Sequence, residues 1–314
     1  MPSISEIDRV RLAEAFRLAD RLQDQVWPEW HTAPFAVLLV TPEYEFLVRH
    51  PQPSEGFLDA GYDRLLQSRV HYRKRQFDTH LLATFPAVNG LSTVVIGQAE
   101  NTVVKTSTPW VVTLLHEHFH QLQDSQPGMY EEMAALGLAH GDETGMWMLN
   151  YPFPYTRPDV NAAFSQAAQA LLAALQTAKW SDLADKIAIY RAAEQKFREV
   201  ISEEEYRYMQ FQLWKEGVAR YTEYQVALQA ALLHQPGKGF SDLSDYTPYV
   251  QVAADLHQQM ILDRLSNERL EHAQRGLFYA SGAAQALLLD RAVPDWKRRY
   301  LHEKCRIDLY FDGR

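Results

Sequence analysis

Residues 111–123 read VVTLLHEHFHQLQ, and this stretch decides how the rest of the chain is interpreted. Its apolar residues recur at helical spacing, which predicts a buried helix from Trp110 to about Gln123. His116 and His120 are one helical turn apart, so their imidazoles project from the same face and can reach one metal ion.

The same stretch contains the motif H-E-x-x-H, in which Glu117 follows the first histidine. A carboxylate at this position can lie beside the water on a metal without ligating the metal itself, which is the position of a general base. With 12 histidines in 314 residues, the motif is expected by chance about 0.03 times. We therefore predict that His116 and His120 are metal ligands and that Glu117 is catalytic. His118 points to the opposite side of the helix and is assigned to the core.

The composition narrows the chemistry of such a site. The chain is 46% hydrophobic and 23% charged, which is typical of a globular protein, and no apolar run is long enough to span a membrane. The single cysteine, Cys305, excludes a disulfide framework and a cysteine-built zinc site, so a metal must be held by His, Asp or Glu. The net charge of −9 argues against nucleic acid as a partner. Since the N-terminus lacks the pattern of a secretory signal, the sequence as given predicts a cytoplasmic protein with no membrane partner.

The order of the predicted elements indicates an α+β fold. The first hundred residues combine one amphipathic helix with the pattern of a mostly antiparallel sheet, whereas helical patterns dominate from Pro109 onward. We expect a sheet lobe over residues 1–108 and a helical catalytic lobe over residues 109–314, which together form one catalytic unit. Strands are predicted at 35–40, 44–49, 69–77, 80–85, 92–97 and 102–106, and helices at 110–123, 131–139, 160–178, 181–200, 203–233, 249–274 and 279–290.

A catalytic zinc site usually has three protein ligands, so a third one must follow the two histidines. The metzincin pattern is excluded because Gln126 stands where its third histidine would be. Glu143 is a workable distance beyond the helix, and Glu216 is followed by Gly217, which permits close approach of another segment. An ion pair with Arg220 is the alternative role for Glu216. The carboxylates considered for the third position are Glu131, Glu132, Asp142, Glu143 and Glu216.

Residues 215–219, Lys-Glu-Gly-Val-Ala, resemble the N-E-G-F-A segment of the gluzincin metallopeptidases, especially the aminopeptidase N and thermolysin-like group. The order of H-E-x-x-H on one helix and E-G-x-A on a later helix also agrees, although several predicted helices separate the two motifs here. The resemblance implies a zincin-like fold with the active-site helix between two lobes. It further implies Zn²⁺ bound by His116, His120 and Glu216, and attack of water on a peptide bond assisted by Glu117.

Two further residues follow from the same resemblance. In the family, a tyrosine well downstream of the glutamate ligand stabilises the oxyanion, and Tyr279 stands at a similar offset. Residues 97–101, Gly-Gln-Ala-Glu-Asn, keep the Gly, Glu and Asn of the G-x-M-E-N segment that binds the substrate amine, yet a plain turn is the favoured interpretation of Glu100. The alternatives for the oxyanion role are Tyr246, Tyr249, His257 and His272.

The sequence therefore predicts a zinc metallopeptidase that acts on a peptide or protein substrate. Three alternatives stay open: a zincin-fold metal-binding protein without turnover, a metal hydrolase that acts on another kind of bond, and a structural helical protein in which the motif is accidental.

Overall fold

The computed structural model describes residues 2–53 and 56–311. Within these residues the chain combines one open six-stranded sheet with many helices, which confirms the predicted α+β class. Among the described helices, none combines the length and the hydropathy that a membrane span requires.

The sheet contains one parallel pair of strands, β1 with β6, and its other neighbouring pairs are antiparallel. The strand order is β3-β4-β2-β1-β6-β5, so β3 and β5 are the two edges. The prediction of a mostly antiparallel sheet is therefore confirmed. The strands are β1 (Val37–Val40), β2 (Tyr44–Val48), β3 (Leu58–Asp63), β4 (Ser68–Lys74), β5 (Leu82–Val88) and β6 (Leu91–Gly97).

Two strand predictions differ from the structure. Strand β3 was not predicted, because its sequence LDAGYD contains two Asp and one Gly, which are uncommon in strands, and its pairing shifts register between Asp59 and Gly61. The strand predicted at 102–106 is wrong. The Thr102 hydroxyl donates to backbone carbonyls in this segment and accepts from the backbone N–H of Val104, which holds the chain in a loop ahead of the next helix.

The helical predictions agree well with the structure. The helices are α1 (Glu6–Val26), α2 (Ser107–Asp124), α3 (Met129–Ala135), α4 (Trp147–Asn150), α5 (Pro158–Leu175), α6 (Trp180–Glu199), α7 (Glu203–Gln212), α8 (Val218–Leu233), α9 (Lys238–Ser241), α10 (Tyr249–Asp255), α11 (Asp263–Asn267), α12 (Leu270–Ala273), α13 (Gly276–Ala292) and α14 (Trp296–His302). A π-helical turn, Leu213–Gly217, joins α7 to α8, and a second one, Leu256–Leu262, joins α10 to α11. Short 3₁₀ helices occur at Trp30–Thr32, Ala99–Asn101 and Asp308–Phe311.

The described residues form two compact units. The first contains the chain up to Ser125 together with Thr222–Ala254, and the second contains Gln126–Tyr221 and the residues from Asp255 onward. This division differs from the predicted boundary at residue 108.

The physical reason for the different boundary is that α2 is bonded to the sheet. Its Trp110 donates from Nε1 to the carbonyl oxygen of Gly97 at 3.0 Å. Its Gln121 donates from Nε2 to the carbonyl oxygens of Ala36 and Ser92, at 3.0 and 2.8 Å. Helix α2 therefore belongs to the same unit as β1 and β6.

The sheet of the first unit has two different faces. Because residues opposite one another in register share a face, Thr84 of β5 lies on the same face as Val94 of β6 and Val37 of β1. Helix α2 packs against β5 and β6. The opposite face carries a buried cluster that includes Leu38, Leu47 and Val95, a set covered by partly buried side chains from loops and from β5.

In the second unit, α13 packs closely against the π-helical turn Leu213–Gly217. A Cβ atom added at Gly217 would lie 2.5 Å from the Cα atom of Gly282 in α13. Only glycine fits at such a distance, so the predicted close approach at Gly217 is confirmed, and the approaching segment is a helix.

Candidate metal centre

The start of α2 is fixed by a buried ion-pair network. The backbone N–H of Ser107 donates to Asp245 at 2.9 Å, its hydroxyl donates to the same carboxylate at 2.7 Å, and Arg11 donates to both Ser107 and Asp245. Burial alone would raise the pKa of Asp245, but the Ser107 hydrogen bonds and the Arg11 charge outweigh it and lower the pKa. The helix that carries the candidate ligands is thus anchored at its first turn by a charged carboxylate.

His116, Glu117 and His120 come together on the buried side of α2. They are 5%, 6% and 4% exposed, and one potential ligand atom from each lies within 4.8 Å of those of the other two. Three buried ionisable side chains at such distances form a group that can hold a metal ion. The helical spacing predicted this arrangement.

The two histidine rings have different neighbours at Nδ1. Nδ1 of His120 lies 2.6 Å from Oε1 of Gln123, and Nδ1 of His116 lies 3.3 Å from Oε2 of Glu223. The Gln123 oxygen only accepts, so Nδ1 of His120 carries the proton and its Nε2 carries the lone pair. Two buried imidazoles, one held by an amide oxygen and the other beside a carboxylate, suit Zn²⁺ well.

Glu223 is a functional candidate that the sequence interpretation missed. It is 5% exposed, and its other oxygen lies 3.4 Å from the hydroxyl of Thr113, which donates to it. Its neighbour His116 is far away along the chain, so local spacing could not reveal the contact. The sequence feature that could have indicated Glu223 was its position seven residues after Glu216, which places it two turns further along one helical run.

Glu117 is held by a residue of the edge strand. The hydroxyl of Thr84 in β5 lies 2.8 Å from Oε2 of Glu117 and donates to it. The same hydroxyl lies 2.9 Å from the carbonyl oxygen of Glu117. The candidate base is therefore tied to the strand that lies beside α2, a contact that the sequence interpretation also missed.

His118 belongs to the core, as predicted. Its ring is fully buried and stacks on Phe35 with ring centroids 3.9 Å apart, and its Nδ1 lies 2.9 Å from Oε1 of Gln121. Burial lowers the pKa of His118 from 6.5 to about 3, so this histidine is neutral at ordinary pH.

The two predicted residues Glu216 and Tyr279 both lie in the second unit, close to Arg275. Nη1 of Arg275 donates to the Tyr279 hydroxyl at 3.0 Å. Burial alone would lower the pKa of Arg275, but the neighbouring Tyr279 and Glu216 raise it. Glu216 is half buried in the π-helical turn, an irregularity that is often found at functional sites. Its role as third ligand and the oxyanion role of Tyr279 stay predictions.

Other candidates from the sequence have different surroundings. Glu143 is exposed in the loop between α3 and α4. Asp142 accepts hydrogen bonds from Thr144 and from the backbone of Trp147 within that loop. The hydroxyl of Tyr249 donates to Glu14 at 3.2 Å.

Glu100 lies in a 3₁₀ turn after β6 and accepts a hydrogen bond from Arg11 at 3.1 Å. The favoured interpretation of a plain turn therefore agrees with the structure.

Comparison with known proteins gave no relative. No protein-family model, no curated protein and no solved structure matches the chain. The geometry around α2 therefore carries the functional conclusion.

Proposed function

We propose that this protein is a zinc-dependent metallopeptidase with a zincin-like fold, in which His116 and His120 bind Zn²⁺ through Nε2. The observation that carries the proposal is the buried group of His116, Glu117 and His120, with its ligand atoms within 4.8 Å of one another and Nδ1 of His120 held by Gln123. Glu216 remains the predicted third ligand, with Glu143 as the alternative.

Each residue of the group has a distinct role in this proposal. A bound Zn²⁺ supplies Lewis acidity, which polarises the scissile carbonyl and makes water more acidic. Glu117 takes the proton from the attacking water and later delivers it to the leaving nitrogen. Tyr279 is the predicted donor to the oxygen that develops negative charge.

A peptide is the favoured substrate because of the strand beside the base. Within the described residues, β5 pairs on one side only, with β6, and it packs against α2. An extended peptide can add to such an edge through backbone hydrogen bonds, which brings a peptide bond alongside the helix that carries Glu117. A small non-peptide substrate has no extended backbone that could form these hydrogen bonds with β5.

The proposal is tested by metal content and turnover in parallel. We expect the purified protein to bind one Zn²⁺ and to hydrolyse members of a peptide library with free and blocked N-termini. Glu117→Gln should keep the metal and lower kcat about 10²- to 10⁴-fold, whereas Glu43→Gln, at an exposed position, is the matched control. Full activity of Glu117→Gln would refute the mechanism, and bound zinc without turnover by the wild type would favour a binding protein.

The third ligand is tested by a pair of alanine variants. Glu216→Ala should weaken zinc affinity, and Glu143→Ala should leave it unchanged. The reverse result would assign the ligand role to Glu143.

A further inference from the structure

Strand β5 contributes one polar side chain, Thr84, and that side chain reaches the candidate base. The strand reads LATFPAV, so its other side chains are apolar. Thr84 is half buried, and its hydroxyl lies 2.8 Å from Oε2 of Glu117 and 2.9 Å from the Glu117 carbonyl oxygen. Both acceptors belong to the same residue, so the contact ties this strand specifically to Glu117.

The hydroxyl has one proton and two possible acceptors. The carbonyl of Glu117 already has an acceptor role inside α2, whereas an ionised carboxylate forms the stronger, charge-assisted bond. The proton of Thr84 therefore goes to Oε2 of Glu117.

We propose that Thr84 is the positioning residue of Glu117 and fixes which carboxylate oxygen acts as the base. With Oε2 held by Thr84, Oε1 is the oxygen that takes the proton from the attacking water. This inference rests on the proposed function for its catalytic meaning, but the contact itself can be measured in the metal-free protein.

The location of Thr84 on an edge strand gives this contact a further consequence. A peptide that pairs with β5 takes its position from the backbone of the strand, and Glu117 takes its position from a side chain of the same strand. The peptide and Glu117 are then both positioned by strand β5, which reduces their motion relative to each other. A substitution at Thr84 should therefore change kcat and leave KM unchanged, because the backbone that binds the peptide is intact.

The kinetic test compares three variants. Thr84→Val keeps the shape and the strand preference of threonine and removes the hydroxyl, and we expect kcat to fall about ten- to hundredfold. Thr84→Ser restores the hydroxyl and should restore most of kcat. The matched control is Thr93→Val on the neighbouring strand β6, whose hydroxyl donates to the carbonyl oxygen of Leu91. Unchanged kcat in Thr84→Val, or failure of Thr84→Ser to recover it, would overturn the proposal.

A second measurement does not depend on activity or on metal. A double-mutant cycle with Thr84→Val and Glu117→Leu, followed by urea unfolding of the metal-free protein, should show that the two changes are not additive. Additive effects would overturn the positioning role whatever the kinetics show. Lack of hydrolysis by the zinc-loaded wild type would instead refute the proposed function, so the two failures are distinguishable.

Discussion

Glu194 provides a stability prediction whose sign and size follow from its surroundings. This glutamate of α6 is 6% exposed and accepts a hydrogen bond from Arg191 at 2.6 Å. Burial raises the pKa of Glu194 from 4.5 to about 7, although the Arg191 charge opposes the shift. A carboxyl group with such a pKa is ionised in the folded protein only at a cost, so Glu194→Gln should stabilise the protein at high pH.

The sign and the magnitude follow from proton linkage. Between pH 4.5 and 7 the folded protein holds a proton on Glu194 that the unfolded chain has released, so the free energy of unfolding decreases as the pH rises. From the two pKa values, the penalty is about 2–3 kcal/mol larger at pH 8 than at pH 5. A glutamine has no such penalty.

Two features indicate that glutamine can be accommodated at this position. Gln210 donates to Oε1 of Glu194 at 3.4 Å and can still donate to an amide oxygen. Glu194 and Gln285 both line a cavity of about 30 Å³. Oε1 of Gln285 has no hydrogen-bond partner within the described residues. The new amide group therefore has an acceptor in its surroundings.

The assay is urea unfolding of the wild type and of Glu194→Gln at pH 5 and at pH 8, followed by circular dichroism. We expect the variant to gain about 2–3 kcal/mol relative to the wild type between the two pH values. Glu199→Gln, at an exposed position on the same helix, is the matched control for loss of a carboxylate. A stability difference that does not change with pH, or that changes in the opposite direction, would refute the reasoning.

Two further predictions concern helix packing and the metal centre. Gly217→Ala would place a Cβ atom 2.5 Å from the Cα atom of Gly282, so we expect unfolding free energy to fall by about 1–3 kcal/mol or more in urea titrations. Gly239→Ala is its control, because an added Cβ there would lie 3.8 Å from Cγ2 of Val10, an ordinary contact. Equal losses in both variants would contradict the packing argument. Glu223→Gln should weaken zinc affinity about 10- to 100-fold, measured by chelator competition, because it removes the carboxylate charge that lies 3.3 Å from Nδ1 of His116. Unchanged affinity would show that this carboxylate does not support the ligand.

Local patterns were sufficient to predict the helices and the core of the candidate site. The helix predicted at 110–123 is observed as α2, and the single run predicted at 203–233 is observed as α7, a π-helical turn and α8. The 3.6-residue period places His116 and His120 on one face without any tertiary information. The same reasoning assigned His118 to the core correctly.

The features that could not be predicted depend on contacts between distant segments. Strand β3 is an edge strand whose Asp and Gly residues are uncommon in strands, so its composition does not indicate the strand that pairing with β4 forms. Thr84 carries no signal of its own and Glu223 only its helical spacing from Glu216, because each meets the site only when the sheet and the helices are assembled. The compact units divide the chain elsewhere than at residue 108 for the same reason, since hydrogen bonds to the sheet decide where α2 belongs.

The two candidate histidine ligands differ in where the neighbours of Nδ1 come from, and this difference links the proposed metal binding to folding. His120 is paired with Gln123, three residues along the same helix, just as His118 is paired with Gln121. Helix α2 alone can therefore orient His120. The carboxylate beside Nδ1 of His116 comes from Glu223 on another helix, and it adds negative charge next to that ligand. An isolated helix with the H-E-x-x-H motif lacks that charge, so we expect the proposed zinc site to need at least the folded first unit, and bound zinc to stabilise that unit in turn.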